Sequence, residues 1–311
     1  MTDRGAATVG RRRAVVAALL AVGLVGACQS STGSPRPDRP DTGTGITLTQ
    51  GLTEQEKDLL HEAEQKLTQS CMRERGFRMW ITPRWPIPQD RDFPYGVHDA
   101  RWASVHGYGS AFIAQRETLR TSDPNRRYFS SLSAADRQRA VDALHGRKTA
   151  ERLEVVTPGG VSVGRFDDGC TAQAQRTLYG DLNAWFTAST LAQALDEQRR
   201  RQVVNDKAFT KAVTTWSHCM RTRGFAYDSP DQARAAFMDN SRAGTAPGRK
   251  EIRTATAEAR CADLTGLSST TRRLDERYGE QTRKAHPSVY RTKSQLEHDA
   301  LTRARTLAGT A

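Results

Sequence analysis

The chain has 311 residues and a formal net charge of +12, with 47 lysines and arginines against 35 acidic residues. A protein this basic is attracted to anionic lipid headgroups and to acidic wall polymers, with an affinity that falls as the salt concentration rises. The first 28 residues predict export from the cytoplasm, and export excludes nucleic acid as a partner.

The N-terminal residues have the pattern of an export signal. Residues 11–13 are three arginines, residues 14–24 form an apolar stretch too short to span a bilayer comfortably, and Gly26 and Ala27 precede Cys28. Residues 25–28, Val-Gly-Ala-Cys, resemble the lipobox of bacterial lipoproteins. The resemblance implies a thioether-linked lipid on Cys28, cleavage before Cys28, and a protein held on the outer face of the membrane.

Other interpretations of this segment stay open. A cleaved secretory signal with an incidental cysteine and an uncleaved membrane anchor are the alternatives to a lipoprotein. The two arginines Arg12 and Arg13 leave a twin-arginine export route open. Removing the predicted signal peptide, residues 1–27, takes away four arginines and one aspartate, so the net charge falls from +12 to +9. Residues 28–50 have almost no apolar content and predict a flexible tether with a root-mean-square reach of ~25 Å.

The cysteine count predicts two disulfides. Four cysteines remain once Cys28 carries lipid, namely Cys71, Cys170, Cys219 and Cys261. An even number of cysteines in an oxidising compartment indicates disulfides, and three connectivities are possible.

An internal repeat selects one connectivity. Residues 71–77, Cys-Met-Arg-Glu-Arg-Gly-Phe, recur as residues 219–225, Cys-Met-Arg-Thr-Arg-Gly-Phe, with six identities in seven positions. Each copy is predicted to end a helix at a left-handed glycine, and one further cysteine on a second helix follows each copy. The repeat therefore predicts the pairs Cys71–Cys170 and Cys219–Cys261, which would hold helices together rather than take part in redox chemistry.

Helical patterns cover most of the remaining chain. Thr53 and Glu56 form a capping box before the first helix, Ser133 precedes another, and helices are also predicted over residues 182–204, from Pro230, and over 295–307. Short strands are predicted over residues 78–83 and 161–163. We expect a mainly α fold with a minor β contribution. It would contain two related, disulfide-stapled helical units, residues 51–183 and 184–311, the first with a long aromatic insertion at residues 78–130.

These motifs together resemble a family of actinobacterial secreted lipoproteins whose function is not characterised. The likeness covers roughly residues 55–265. It rests on the repeated Cys-Met-x-x-x-Gly-Phe motif, on residues 128–133 leading to Ala-Leu-His-Gly at 143–146, and on Asp-Gly-Cys at 168–170. The resemblance implies the fold and the location outside the membrane, and it supplies no catalytic residues.

The insertion contains the candidate binding residues. Eight of the chain's 21 aromatic residues lie within residues 77–112, interleaved with histidine and arginine. The predicted binding residues are Trp80, Trp85, Tyr95, His98, Arg101, Trp102, His106 and Tyr108. Aromatic rings give contact area at low entropy cost, and arginine pairs with phosphate or carboxylate. The alternative is that the rings pack onto the protein's own helices as a local core.

Motifs of known catalytic sites are missing from the sequence. Residues 107–110, Gly-Tyr-Gly-Ser, lack the Gly-x-Ser-x-Gly nucleophile elbow, and His61-Glu62 lacks the second histidine of a zinc-protease helix. We expect no cofactor and no metal, with a metal at His98 and His106 as a minor alternative. The predicted function is a noncatalytic, membrane-anchored lipoprotein that binds an anionic wall polymer, another envelope component or a partner protein. The alternative is an extracytoplasmic enzyme with its site in the insertion.

Overall fold

The computed structural model of the protein describes residues 51–238 and 246–309, which form twelve helices and one two-stranded sheet. The first six helices are α1 (Glu54–Glu74), α2 (Ala100–His106), α3 (Ser110–Ser122), α4 (Pro124–Ser131), α5 (Ala134–His145) and α6 (Cys170–Tyr179). The other six are α7 (Leu182–Val204), α8 (Lys207–Thr222), α9 (Pro230–Ala235), α10 (Arg249–Leu264), α11 (Leu267–Ala285) and α12 (Pro287–Gly309). Strands β1 (Arg152–Val156) and β2 (Ser162–Phe166) lie between α5 and α6. The predicted fold class, mainly α with a minor β contribution, is confirmed.

The first copy of the repeated motif ends α1. The predicted capping box is present at the start of this helix, where the Thr53 side chain accepts a hydrogen bond from Glu56 N and Glu56 bonds back to Thr53 N. At the other end, Phe77 N donates to Met72 O over 2.9 Å, and Gly76 has φ +83°. This arrangement is a Schellman motif, which requires a left-handed residue and therefore favours glycine.

The second copy ends α8 in the same way. Phe225 N donates to Met220 O over 3.0 Å, and Gly224 also has φ +83°. The repeated motif therefore marks the end of a helix. The phenylalanine N–H donates to the methionine carbonyl, and this hydrogen bond closes the last turn around the glycine. The predicted left-handed conformation is confirmed at both glycines.

Both predicted disulfides are present. Cys71 of α1 is bonded to Cys170 at the start of α6, with 5.5 Å between the Cα atoms. Cys219 of α8 is bonded to Cys261 of α10, with 5.8 Å between the Cα atoms. Each disulfide joins the helix that carries the repeated motif to a helix further along the chain, as the repeat predicts.

The strand predictions are partly wrong. Residues 78–83 form no strand. Their backbone bonds to side chains instead of to a neighbouring strand, and Gln69 Nε2, for example, donates to Met79 O over 2.7 Å. The sheet is an antiparallel hairpin in which Val155 is opposite Val163 and Val156 is opposite Ser162. The strand predicted over residues 161–163 covers only part of β2, and β1 is not predicted, because its hydrogen-bond ladder comes from a partner strand.

The insertion is more helical than its proline content indicates, since it contains α2, α3 and most of α4. Helix α2 packs against α10, and the insertion contributes to the same hydrophobic core as α8, α10 and α11. A second core forms where the C-terminal helix α12 packs against α1 and α6. Elements of the two predicted units thus pack against each other, and the predicted boundary at residue 183 falls inside α7. The described residues, 51–238 and 246–309, belong to one compact unit.

Several predicted features lie outside the described residues. These are the signal peptide (residues 1–27), the lipidation site Cys28 and the tether (residues 28–50). Among the described helices, none combines the length and the apolar character that a membrane span requires.

Candidate functional site

The predicted binding residues fall into two groups with different exposure. Trp80 and Trp85 are 37% and 56% exposed, and Ile81 between them is 38% exposed. Trp102 and Tyr108 are buried, with 8% and 3% of their surface exposed. The structure therefore divides the insertion into an exposed aromatic face, which we define as Trp80, Ile81 and Trp85, and a buried aromatic core.

The backbone at Trp80 is held in place by one side chain of α4. Trp80 N donates to Asn125 Oδ1 over 2.8 Å, and Asn125 Nδ2 donates to Trp80 O over 2.9 Å. The Trp80 ring meets the Tyr128 ring edge-on, with 5.8 Å between centroids. Trp80 is thus fixed on a helical support although its ring remains partly exposed.

Trp85 lies beside an ion-pair cluster at the start of α1. Arg84 Nε donates to Asp58 Oδ1 over 2.7 Å, and Arg84 Nη2 donates to Glu54 Oε2 over 2.5 Å. The guanidinium carbon of Arg84 lies 5.1 Å from the centroid of the Trp85 ring. Hydrogen bonds from Lys57 and Arg84 lower the pKa of Glu54 to about 2, so this carboxylate stays ionised in neutral solution.

A surface groove of about 410 Å³ runs past this cluster. Ile81 and Trp85 line it on one side and His61 of α1 on the other. His61 Nε2 lies 2.7 Å from Thr82 O, so α1 also holds the middle of the exposed segment. The aromatic face is therefore attached at its start to α4 and at its end to α1.

Trp102 is part of the core. Its Nε1 donates to Gln89 O over 2.8 Å, and its ring centroid lies 4.8 Å from that of Phe93 and 5.2 Å from that of His106. The His106 ring also packs against Phe112, at 5.2 Å. Trp102 and His106 thus contribute to packing, as the alternative interpretation of the aromatic residues requires.

Tyr108 is held by two buried carboxylates of α10. Tyr108 N and Ser110 N donate to Glu251 Oε1 over 2.9 and 3.2 Å, and Ser110 Oγ donates to Glu251 Oε2 over 2.5 Å. The Tyr108 hydroxyl donates to Glu258 Oε2 over 2.6 Å, and Val97 N donates to Glu258 Oε1 over 2.7 Å. These two carboxylates fix the backbone of residues 97–110 onto α10.

The side chain of Glu258 is 1% exposed, and burial raises the pKa of its carboxyl to about 7 in spite of the two hydrogen bonds it accepts. Burial, followed by the nearby negative charge of Glu258, raises the pKa of Tyr108 above its ordinary value. Sequence reasoning missed both glutamates. Glu251 and Glu258 are seven residues apart and lie on the same buried face of α10 as Thr254 and Cys261. Two acidic residues on a buried helix face were the signal in the sequence that could have indicated buried carboxylates.

Tyr95 and His98 line a different cavity, of about 350 Å³, against the start of α11. The Tyr95 hydroxyl donates to Asp275 Oδ1 over 2.5 Å, and Arg199 pairs with the other oxygen of Asp275 at 3.3 Å. Burial and the hydrogen bond to Asp275 raise the pKa of Tyr95. His98 is exposed, and its Nδ1 lies 3.4 Å from Gly96 O.

The structure does not bring the predicted histidines together. His98 is exposed and lines the cavity beside α11, whereas His106 packs among aromatic rings. No hydrogen bond within the described part of the chain joins either ring to a carboxylate. Arg101 is exposed on α2. In residues 51–238 and 246–309, no cluster of three His, Cys, Asp or Glu side chains is arranged to hold a metal ion.

No protein-family model, curated protein or solved structure matches this chain.

Proposed function

We propose that this protein is an extracytoplasmic lipoprotein, anchored by lipid on Cys28, that binds a component of the cell envelope without catalysing a reaction. The aromatic face is its recognition surface. One observation carries this assignment: Trp80 and Trp85 are exposed on a fold that buries the neighbouring Trp102 and Tyr108. The fold buries or half-buries its other 19 aromatic side chains and leaves these two exposed on one segment, which makes that segment a surface suited to a partner.

The way the aromatic face is held supports a binding role. Asn125 fixes the backbone of Trp80, and Arg84 connects the segment to Glu54 and Asp58 of α1. A surface that is already ordered loses less conformational entropy when it binds than a flexible loop would. The face is thus preorganised for contact.

Two further features support the envelope as the location. The disulfides Cys71–Cys170 and Cys219–Cys261 are typical of proteins that fold in an oxidising compartment. The net charge of +9 after removal of residues 1–27 favours association with anionic polymers and lipids.

Fractionation of the producing cells tests the anchor. Wild-type protein is expected in the membrane fraction, and Cys28→Ala is expected either to be released or to stay uncleaved, since durable anchoring requires acyl chains. Unchanged size and unchanged lipid labelling in Cys28→Ala would reject the lipidation site.

Binding to isolated cell envelopes tests the recognition surface. The chain from residue 28 with Cys28→Ser is expected to bind envelopes in a salt-sensitive manner, and Trp85→Ala is expected to weaken that binding. Leu264→Ala, which changes a 70% exposed side chain on α10, is the control and should bind like wild type. Equal binding by all three chains would remove the aromatic face as the recognition surface.

A further inference from the structure

We infer that the aromatic face, together with the neighbouring arginines Arg78, Arg126 and Arg127, contacts the anionic headgroups of the bilayer that holds the lipid anchor. This inference deepens the proposed function and rests on it, because it names the envelope component that the aromatic face binds.

The position of the aromatic face in the fold is the first step. The chain that leads from Cys28 reaches the described structure at Gly51, three residues before α1 begins at Glu54. Arg84 pairs with Glu54 and Asp58 in the first two turns of this helix, and Trp85 lies directly beside Arg84. The aromatic face is therefore attached to the part of the fold that the anchored chain reaches first.

The length of the connecting chain sets the distance scale. Residues 29–50, which precede the described structure, number 22 and span at most ~75 Å even when fully extended. The described structure, which begins at Gly51, is thus expected to start within ~80 Å of the lipid on Cys28. The anchor gives the bilayer a high effective concentration at this part of the surface, so even a weak contact is populated.

The side chains on the face suit a headgroup layer. Tryptophan has an apolar body and a polar N–H, and it is enriched at membrane–water interfaces for this reason. Ile81, which lies between Trp80 and Trp85 in the chain, adds an exposed aliphatic side chain. If these three side chains enter the headgroup layer, their apolar surface is removed from water, which favours binding. Such binding requires no membrane-spanning segment.

The charge beside the aromatic face is complementary to anionic lipid. Arg126 and Arg127 follow Asn125, whose side chain bonds both backbone groups of Trp80, and Arg78 lies two residues before Trp80. All three arginines are exposed, and none makes an ion pair with another residue that the structure describes. Their guanidinium groups are accordingly available to lipid phosphates.

A wall glycan fits the face less well. Sugar recognition needs polar side chains beside the stacking ring that are available to bond hydroxyl groups. The charged side chains and the histidine around Trp85 are engaged with other groups of the protein: Arg84 with Glu54 and Asp58, His61 with Thr82 O, and Glu62 with Lys66. The observations consequently favour lipid over glycan as the partner.

Sedimentation with lipid vesicles tests the inference. The chain from residue 28 with Cys28→Ser contains all of the described residues, which belong to one compact unit, and carries no acyl chain. It is expected to bind phosphatidylcholine vesicles that contain phosphatidylglycerol and to bind pure phosphatidylcholine vesicles much less. Replacing Arg78, Arg126 and Arg127 by Gln should weaken binding about fivefold for each arginine, the equivalent of one headgroup contact. Trp85→Ala should weaken it by about fivefold or more, through loss of apolar burial.

Matched controls keep the test specific. Arg260→Gln and Leu264→Ala change an exposed arginine and an exposed aliphatic side chain on α10, and both should bind vesicles like the parent chain. Trp80→Phe, which keeps an aromatic ring beside Tyr128, should lose less binding than Trp80→Ala. Circular dichroism of each variant establishes that the fold is retained.

The outcomes separate this inference from the proposed function. Loss of vesicle binding in the Trp85 and arginine variants, with the controls unchanged, supports it. Binding to isolated wall but not to anionic vesicles would overturn the lipid assignment and leave the envelope-binding function in place. Vesicle binding that no variant weakens would overturn the assignment of the surface, and absence of binding to both materials would overturn both proposals.

Discussion

The Tyr108 hydroxyl donates a 2.6 Å hydrogen bond to Oε2 of Glu258, a residue 150 positions later in the chain. The bond connects the insertion to α10 in the interior of the fold. Both groups are buried, and the second oxygen of Glu258 accepts from Val97 N. A buried carboxylate that bonds two donors on the same segment fixes the position of that segment, and it makes the free energy of unfolding sensitive to the protonation of one group.

Glu258 is expected to make stability fall as the pH rises. Its pKa is about 7 in the folded protein, against an ordinary value of 4.5. Between these values the folded protein binds more protons than the unfolded chain, so the free energy of unfolding decreases with increasing pH. The loss between pH 4.5 and 7 is roughly 3 kcal/mol at 1.36 kcal/mol per pKa unit. Glu258→Gln should remove this decrease, and denaturant unfolding at a series of pH values measures it.

The comparison of the two chains isolates this group, since every other titrating residue is common to both. Glu276→Gln on the exposed side of α11 is the control and should keep the wild-type pH dependence. An unchanged pH dependence in Glu258→Gln would mean that the carboxyl of Glu258 titrates at its ordinary pKa in the fold.

Gly107 is expected to be sensitive to substitution because of Glu251. A Cβ at this position, where φ is +61°, would lie 2.7 Å from Cγ and Oε1 of Glu251. Gly107→Ala should therefore displace the carboxylate that bonds Tyr108 N and Ser110, at a cost of roughly 2–4 kcal/mol. Gly248→Ala is the control, because φ there is −70° and nothing lies within 4 Å of the added atom. Thermal unfolding of the two variants should differ clearly, and equal midpoints would contradict the close contact.

The features of the fold that could be predicted from the sequence are those that depend on neighbouring residues. The capping box of Thr53 and Glu56 and the stops at Gly76 and Gly224 each depend on a few consecutive positions. The repeat then extended these local signals to the disulfide pairs, since two copies of one motif indicate two equivalent bonds. Residues 78–83 were wrongly predicted as a strand because an extended pattern does not say whether a second strand is available.

The candidate site depended on contacts that no local pattern contains. Glu251 and Glu258 bind donors that are 141 to 161 positions earlier in the chain. Trp85 and Trp102 are the same residue type in the same aromatic segment, and only tertiary packing exposes one and buries the other. The sequence therefore identified the segment that carries the aromatic face, but not which of its rings are exposed.

The glycines of the repeated motif are expected to matter more than its arginines. An alanine at Gly76 or Gly224 would meet no atom within 4 Å, so its cost is the left-handed backbone alone, about 1 kcal/mol at each position. Arg73→Ala and Arg221→Ala change exposed side chains and should alter the free energy of unfolding by less than about 0.5 kcal/mol. Denaturant unfolding of the four variants makes the comparison. A larger loss for either arginine would indicate that the motif has a role besides ending a helix.

Each disulfide is expected to stabilise the fold, with the longer loop contributing slightly more. The sequence separations are 99 residues for Cys71–Cys170 and 42 for Cys219–Cys261. From the entropy that each disulfide removes from the unfolded chain, we expect a stabilisation of about 4.7 kcal/mol for Cys71–Cys170 and about 4 kcal/mol for Cys219–Cys261. Paired replacement of both cysteines by alanine avoids a free thiol, and unfolding under non-reducing conditions gives the loss. If either double variant is as stable as wild type, that disulfide does not constrain the unfolded chain in the way this reasoning requires.

Two tryptophan substitutions are expected to have opposite effects on stability and binding. Trp102→Ala removes a buried ring and the hydrogen bond to Gln89 O, so it should destabilise the fold by roughly 3–5 kcal/mol. The sequence placed Trp102 among the predicted binding residues, and its burial gives it a structural role instead. Trp85→Ala removes a ring that is 56% exposed and should change the free energy of unfolding by less than about 0.5 kcal/mol while weakening envelope binding.

Calorimetry and envelope sedimentation on the same preparations separate the two roles. Trp185→Phe, which keeps a ring against Tyr179, is a control for the loss of an indole elsewhere in the fold and should leave envelope binding unchanged. If Trp85→Ala unfolds the protein as Trp102→Ala does, the exposed ring supports the interior through Arg84 and α1. The aromatic face would then be a structural element, and recognition would have to be sought at another surface, of which the cavity beside Tyr95 is the next to test.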